Sequence, residues 1–317
     1  MNITRLAPSP TGALHLGNAR TFLVNWLLAR QGGWRIILRI EDLDGPRVKA
    51  GADREAIDDL IWLGLDWDEG PIYQSRRRER YADALDRLIA DGKVYPCTCS
   101  RREIEESASA PHGESGAIYP GTCRGRYRSG AEAQAASGRM PAMRFAVPPG
   151  VVRFVDGVRG LQETEPATEL GDFVVAKADG TPAYQLAVVV DDAEMGTTDV
   201  VRGDDLLGST ARQRLIYDAL GWADRVPRYS HLPLVIGGDG RRLAKRHGDT
   251  RLSRYRNAGV SASAVVALLG RWCGIEAVGE QATSSDLLAS FRIEKLPREP
   301  ITFTPADEAM LLAGGRA

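Results

Sequence analysis

Apolar positions recur at three- and four-residue spacing through Ala19, Leu23, Trp26 and Leu27, and Gly32-Gly33 close the run. That pattern predicts a helix over residues 17–30, ended by a glycine able to take the left-handed conformation. Residues 35–40 then form a short apolar run of strand length, and its carboxyl end carries Glu41-Asp42-Leu43-Asp44. Ahead of the helix, a short extended segment is broken by Pro8, Pro10 and Gly12. Further helices are expected over 53–63 and 76–91. Strand–helix–strand–helix order implies a parallel α/β sheet with ligands at the carboxyl ends of its strands, here residues 5–10 and 41–44.

The alternation stops near Tyr95. Residues 95–149 hold three cysteines among many Gly, Ser and Pro with weak periodicity, which suits an inserted, metal-clamped module. Apolar runs return at 173–176 and 184–190 and are read as further sheet strands. Residues 204–210 offer caps to a helix over 211–220. Beyond Arg246 the pattern is mostly helical, clearest over 264–273.

Charge narrows the range of partners. With 41 basic and 42 acidic residues there is no global basic field, so a nucleic acid would have to be met by a local patch. The longest apolar stretches, such as 186–190, are strand-length, so no secretory leader or membrane span is expected. Four cysteines, three of them clustered, suit a cytoplasmic metal site plus one core thiol, Cys273, rather than a secreted disulfide framework.

Three groups of residues carry candidate chemistry. The string Arg5-Leu6-Ala7-Pro8-Ser9-Pro10-Thr11-Gly12-Ala13-Leu14-His15-Leu16-Gly17-Asn18 puts a histidine and a glycine at a helix start. Unpaired N–H groups there suit phosphate, His15 can bond it, and Gly17 lets it approach the backbone. Taken alone, the string also reads as a turn capping an ordinary helix. Next, Arg241-Arg242-Leu243-Ala244-Lys245-Arg246 follows the turn Gly237-Gly238-Asp239-Gly240, and presents one of few lysines in an arginine-biased chain. A mobile loop of this kind can bring Lys245 to a transferring phosphoryl group. Third, Cys97-Thr98-Cys99 and Cys123 supply three thiolates for zinc, with His112 and Tyr119 both in range as the fourth ligand. On chemistry alone histidine is the ordinary choice, since a free phenol ionises only near pH 10.

Residues 8–18 and 242–246 resemble the two nucleotide-binding signatures of class I aminoacyl-tRNA synthetases, HIGH and KMSKS. Residues 5–12, Leu38-Arg39-Ile40-Glu41-Asp42-Leu43-Asp44 and Val201-Arg202-Gly203-Asp204-Asp205-Leu206-Leu207 resemble blocks of the glutamyl branch, in order. The likeness covers residues 3–250. Two departures stand out. Asn18 replaces the second histidine, and Arg242 and Ala244 replace the lysine and serine of the second signature.

The resemblance implies a Rossmann-type catalytic domain in two halves, 1–94 and 173–246. It also implies an inserted zinc-bearing α+β subdomain at 95–172 and a helical extension at 247–317 with no anticodon-binding domain. L-Glutamate would be held by Arg5, Leu6, Ala7, Pro8, Ser9, Glu41, Tyr184 and Arg202. Arginines suit the carboxylates and Glu41 the ammonium group, although Glu41 alone also reads as a salt bridge to Arg39 or Arg47. ATP with Mg²⁺ would be held by His15, Gly17, Asn18, Leu243 and Lys245, with His15 and Lys245 catalytic. In the short members of the branch a tyrosine completes the zinc site, which implies Cys97, Cys99, Tyr119 and Cys123, with His112 second. Those short members imply an RNA partner, tRNA(Asp) carrying queuosine, and a monomer. The alternatives are a truncated enzyme charging tRNA(Glu) and a non-catalytic RNA-binding paralogue.

Overall fold

Ile3–Leu6 (β1) and Arg35–Ile40 (β2) pair in parallel, with Ile3 opposite Arg35 and Leu6 opposite Leu38. The helix between them, Leu16–Gly32 (α1), ends on Gly33 at φ 64°, as the double glycine predicts. The structure, a computed structural model, describes residues 1–107, 118–241, 243, 249–275 and 278–314. Ala52–Trp62 (α2) leads to a third parallel strand, Glu69–Tyr73 (β3), and then to Arg78–Ala90 (α3). The sequence pattern missed β3 because its first half is exposed and Gly70-Pro71 interrupts it.

Val94–Cys97 (β4) begins an antiparallel region. It contains Arg101–Ser107 (α4), Gly130–Ser137 (α5), Ala142–Phe145 (β5), the hairpin Val152–Asp156 (β6) with Gly160–Thr164 (β7), and Pro166–Glu169 (α6). Phe173–Ala176 (β8) is a strand as expected, but it pairs antiparallel with β5, in the order β4-β5-β8, not with the parallel sheet.

The run at 184–190 is a correction. Tyr184–Glu194 (α7) is a helix, not a strand. Leu186–Val190 are buried on every side, so no polar face marks a 3.6-residue period, and Val188-Val189-Val190 imitate strand composition. Asp199–Gly203 (β9) precedes Leu207–Ala219 (α8), which starts earlier than expected, after a single 3₁₀ turn over Asp204–Leu206. No side chain caps it. Asp204 pairs instead with Arg159, and Thr210 turns inward.

Arg228–Leu232 (β10) lies parallel to β9. β9 in turn runs beside β1, tied by Thr198 N–H to the Ile3 carbonyl at 2.8 Å. Spatial order β3-β2-β1-β9-β10 reverses direction of growth between β1 and β9, the place where doubly wound sheets open a ligand crevice. Val235–Ile236 (β11) is followed by Leu252–Asn257 (α9), Ala262–Trp272 (α10), Ser284–Leu288 (α11), Ile301–Thr302 (β12) and Pro305–Gly314 (α12).

The C-terminal helices are integral to the domain. Leu23 and Leu27 of α1 share one core with Leu268 and Leu269 of α10, and β12 pairs with β11 beside the crevice. Arg20, buried in α1, locks the two parts by donating to the carbonyls of Pro233 and Trp272. A second core joins α3, α7 and α8 to β5 and β8. Among the described residues no helix is long and apolar enough to cross a membrane.

Candidate active site

A cleft of about 310 Å³ opens at the carboxyl ends of β1 and β9. Arg5, Ala7 and Ser9 come from the β1 side, Arg202 from β9, Glu41 from the end of β2, and Tyr184 from the first turn of α7. His15, Gly17 and Asn18 line its other end. The Glu41 N–H donates to the Pro8 carbonyl at 3.0 Å, which joins the two loops that carry Arg5 and Glu41.

Behind the cleft lies a buried charge network. Asp192 of α7 accepts from Arg5 Nε at 3.2 Å and from Arg39 Nη1 at 2.6 Å. Arg39, wholly buried, also donates to Glu41 at 3.1 Å. Burial alone would lower the Arg39 pKa, but Asp192, Glu41 and Asp191 overcome it and raise it well above the ordinary value. Asp192 is resisted by burial yet drawn down by Arg39 and Arg5, so it is ionised. Glu41 is raised by burial, against the pull of Arg39 and Arg5. A cation arriving beside Glu41 would favour its charged form.

Asp192 holds Arg5 through Nε only. Among the described residues neither terminal nitrogen of Arg5 has a protein acceptor, and the side chain is only 4% exposed. The planar fork therefore faces the cleft, pre-oriented for a carboxylate. Arg202 is held differently. Its Nε donates to His231 at 2.9 Å, Nη1 to Gln213 at 2.9 Å, and Nη2 to Thr210 at 2.8 Å and the Leu206 carbonyl at 3.3 Å.

The start of α1 departs from expectation. His15 is the N-cap, and its Nδ1 accepts from the N–H groups of Gly17 (3.1 Å) and Asn18 (3.4 Å). Leu16 N–H donates to the Thr250 carbonyl. The helix-start donors thus already have protein partners, so an anion here would be met by side chains. A Cβ on Gly17 would sit 3.0 Å from His15 Cε1, so the capping ring would have to give by a few tenths of an ångström, which favours glycine here even without a nucleotide. With Nδ1 accepting, a neutral His15 ring carries its proton on Nε2.

The sulfurs of Cys97, Cys99 and Cys123 lie within 4.8 Å of one another. Tyr119 Oη sits among them, 3.3 Å from Cys97 Sγ and 3.7 Å from Cys99 Sγ, and accepts the Cys123 N–H at 2.8 Å. Three thiols and a phenol converging in a largely buried pocket match the four-donor requirement of a structural zinc site. Arg144 donates to Cys97 Sγ at 3.2 Å and lies 3.9 Å from the Tyr119 ring centroid, a cation placed to offset anionic donors.

Of the residues singled out from sequence, Leu6 and Pro8 are buried and do not line the cleft; Pro8 contributes its carbonyl to Glu41. Leu243 is a core residue bonded to the Val235 carbonyl. Lys245, Arg242, Ala244 and His112 lie outside the described residues. The sequence reading missed Asp192, His231, Asp156 and Gln213. The acid pair ending the apolar run of α7 and a histidine in a strand were the available signals.

Residues 2–305 match the family described as "tRNA synthetases class I (E and Q), catalytic domain". The "Glutamyl-Q tRNA(Asp) synthetase" of Symbiobacterium thermophilum is 50% identical, with 99% of each chain covered. The "Glutamate--tRNA ligase" of Geobacter sulfurreducens is 42% identical over 95% of this chain but only 63% of its own length. In three dimensions, a glutamate tRNA ligase of Elizabethkingia meningosepticum, solved with its amino acid, superposes with a TM-score of 0.81 at 27% identity, covering 96% of this chain and 68% of that one.

Proposed function

Because the chain belongs to the class I tRNA synthetases of the glutamyl and glutaminyl type, we propose that it activates L-glutamate with ATP and passes it to the queuosine base of tRNA(Asp). The observation that carries the amino-acid half is the buried pair Arg5 and Arg202 lining one cleft with Glu41, the acid that Arg39 holds beside Arg5; Asp205 lines the same cleft. Two guanidiniums suit the two carboxylates of a dicarboxylic amino acid, and Glu41 suits its ammonium group. Glutamine would leave a guanidinium poorly matched, and an unmatched buried charge is strongly disfavoured. Ser9 and Tyr184 add side-chain contacts at the same rim.

In the first step a glutamate carboxylate oxygen attacks the α-phosphorus of ATP, and the bond to the leaving pyrophosphate breaks. His15, through its Nε2 edge, and Asn18 hold the nucleotide beside the glutamate pocket. Lys245 meets the growing charge on the phosphates, and Mg²⁺ accompanies ATP. The chain's contribution is therefore positioning and preorganised charge. In the second step glutamate leaves the adenylate for the base, and AMP is released.

Cys97, Cys99, Tyr119 and Cys123 would hold a zinc ion, which supplies a fixed point for an insertion with a small core of its own. The acceptor assignment is supported by a relative named for tRNA(Asp) that matches this chain over 99% of both lengths. ATP–pyrophosphate exchange without RNA tests the first half. Glutamate should support exchange and glutamine and aspartate should not; no exchange with glutamate contradicts the proposal.

A further inference from the structure

We propose that His231, fixed by Asp156, is a positioning residue that aims Arg202 into the cleft without neutralising it. Asp156 closes β6 in the inserted hairpin, His231 lies on β10 and Arg202 on β9, so three elements meet in one buried line. Asp156 Oδ1 accepts the N–H groups of Val158, Arg159 and His231 at 2.9, 2.8 and 3.1 Å. That leaves Oδ2, 2.6 Å from His231 Nδ1. The opposite ring nitrogen, Nε2, faces Arg202 Nε at 2.9 Å and Thr210 Oγ1 at 3.3 Å. Both side chains of the acid–imidazole pair are fully buried.

The tautomer follows from the arginine. Guanidinium is a donor at every nitrogen and stays protonated in proteins, so Nε2 must be the unprotonated nitrogen. The ring proton is then on Nδ1, donated to Asp156. Burial and the charge of Arg202 hold His231 below its ordinary pKa, against the pull of Asp156, which agrees with a neutral ring.

A neutral acceptor here has a consequence a carboxylate would not have. Arg5 touches the anion Asp192 directly, and Asp192 is shared with Arg39. Among the described residues Arg202 touches no carboxylate: its hydrogen-bond partners are an imidazole, an amide, a hydroxyl and a carbonyl. The anion that completes the line, Asp156, is set back by the width of a ring. Arg202 is thereby oriented while its positive field stays directed at the ligand. This inference rests on the reading of Arg202 as a carboxylate-binding group, and adds that an element of the insertion controls it.

The test uses the full chain with ATP–pyrophosphate exchange at varied glutamate and varied ATP, together with ¹⁵N-histidine NMR. His231→Leu should raise the glutamate KM about tenfold or more, as for a buried charged donor left unpaired, with the ATP KM within about twofold. His231→Gln, whose amide accepts from Arg202 and donates to Asp156, should recover most of the loss. Asp156→Asn is the sharper variant. Its carbonyl still accepts the three backbone N–H groups, but its NH₂ faces Nδ1 and drives the ring proton to Nε2, against Arg202. Its glutamate KM should rise as in His231→Leu, and the ring should switch tautomer.

An Nε2–H tautomer or an imidazolium in the unaltered protein at neutral pH would overturn the proposal. So would an unchanged glutamate KM in both His231→Leu and Asp156→Asn. If His231→Leu does not fold, the Gln and Asn variants with the NMR readout decide alone. Arg202→Ala separates the two levels. A raised KM there with no effect of the relay variants overturns only the relay, whereas an unchanged KM overturns the glutamate-binding reading itself.

Discussion

Replacing Arg5 by lysine keeps the charge and removes the fork. In the structure Nε of Arg5 rests on Asp192, and the two terminal nitrogens face the cleft. A lysine ammonium can serve one of these sites and not both. If it stays on Asp192, the ligand loses two charge-assisted hydrogen bonds; if it swings to the ligand, it recovers one. Each such bond contributes about 1.5–3 kcal/mol, so the net loss to glutamate is about 2–3 kcal/mol. That corresponds to a glutamate KM raised roughly 30- to 150-fold. Because the contact exists in the ground state as well as the transition state, kcat should change little. The ATP KM should hold, since the nucleotide end is lined by His15 and Asn18. Folding should survive, because Arg39 still pairs with Asp192 at 2.6 Å. Steady-state ATP–pyrophosphate exchange reads all three quantities. A folded Arg5→Lys protein with a glutamate KM within threefold of the original would refute the carboxylate reading of Arg5.

Lys245→Ala should lower adenylate formation by about 10²-fold or more, the effect of losing a preorganised charge, and near-normal exchange would remove Lys245 from the mechanism. Stability should depend on pH through Asp59, a fully buried carboxylate whose oxygens have no hydrogen-bond donor among the described residues and which lies 3.4 Å from the Arg256 guanidinium. Burial raises its pKa to about 7, against Arg256 and with help from Glu55 and Asp58. The folded protein then keeps a proton that the unfolded chain releases above about pH 4, so this stabilisation is present at low pH and lost as pH rises toward 7. The whole loss is on the order of 4 kcal/mol, of which roughly 3 falls between pH 5 and 8, and thermal melts over that range should show a shallower slope for Asp59→Asn; equal slopes would contradict it. Tyr119→Phe should lower zinc affinity at least tenfold while Cys97→Ala abolishes stoichiometric binding, measured as metal per chain after dialysis against a chelator. Full retention of zinc by Tyr119→Phe would exclude the phenol as a ligand.

Much of this arrangement was legible before any coordinates. The 3.6-residue period gave α1, and the apolar run gave β2 with its residue limits, because each is a strong local pattern. The cleft residues Arg5, Glu41 and Arg202 came from ordered sequence blocks and Tyr184 from the family resemblance, and the fold brings them together. What stayed hidden depends on contacts far apart in sequence. α7 looks like a strand because tertiary burial erased its polar face. Asp156 and His231 are 75 residues apart, and nothing local to either foretells the other. His15 drew attention as a phosphate contact, yet its Nδ1 is spent on capping α1. Helix-start N–H groups do suit phosphate, but here they already bond His15 and Thr250 within the protein.

The central claim concerns where glutamate goes, and the acceptor RNA tests it most directly. Labelled glutamate and ATP should be supplied with queuosine-containing tRNA(Asp), unmodified tRNA(Asp) and tRNA(Glu) in parallel. The account predicts stable label on queuosine-containing tRNA(Asp) alone. Label on the 3′ end of tRNA(Glu), with none on tRNA(Asp), would contradict it.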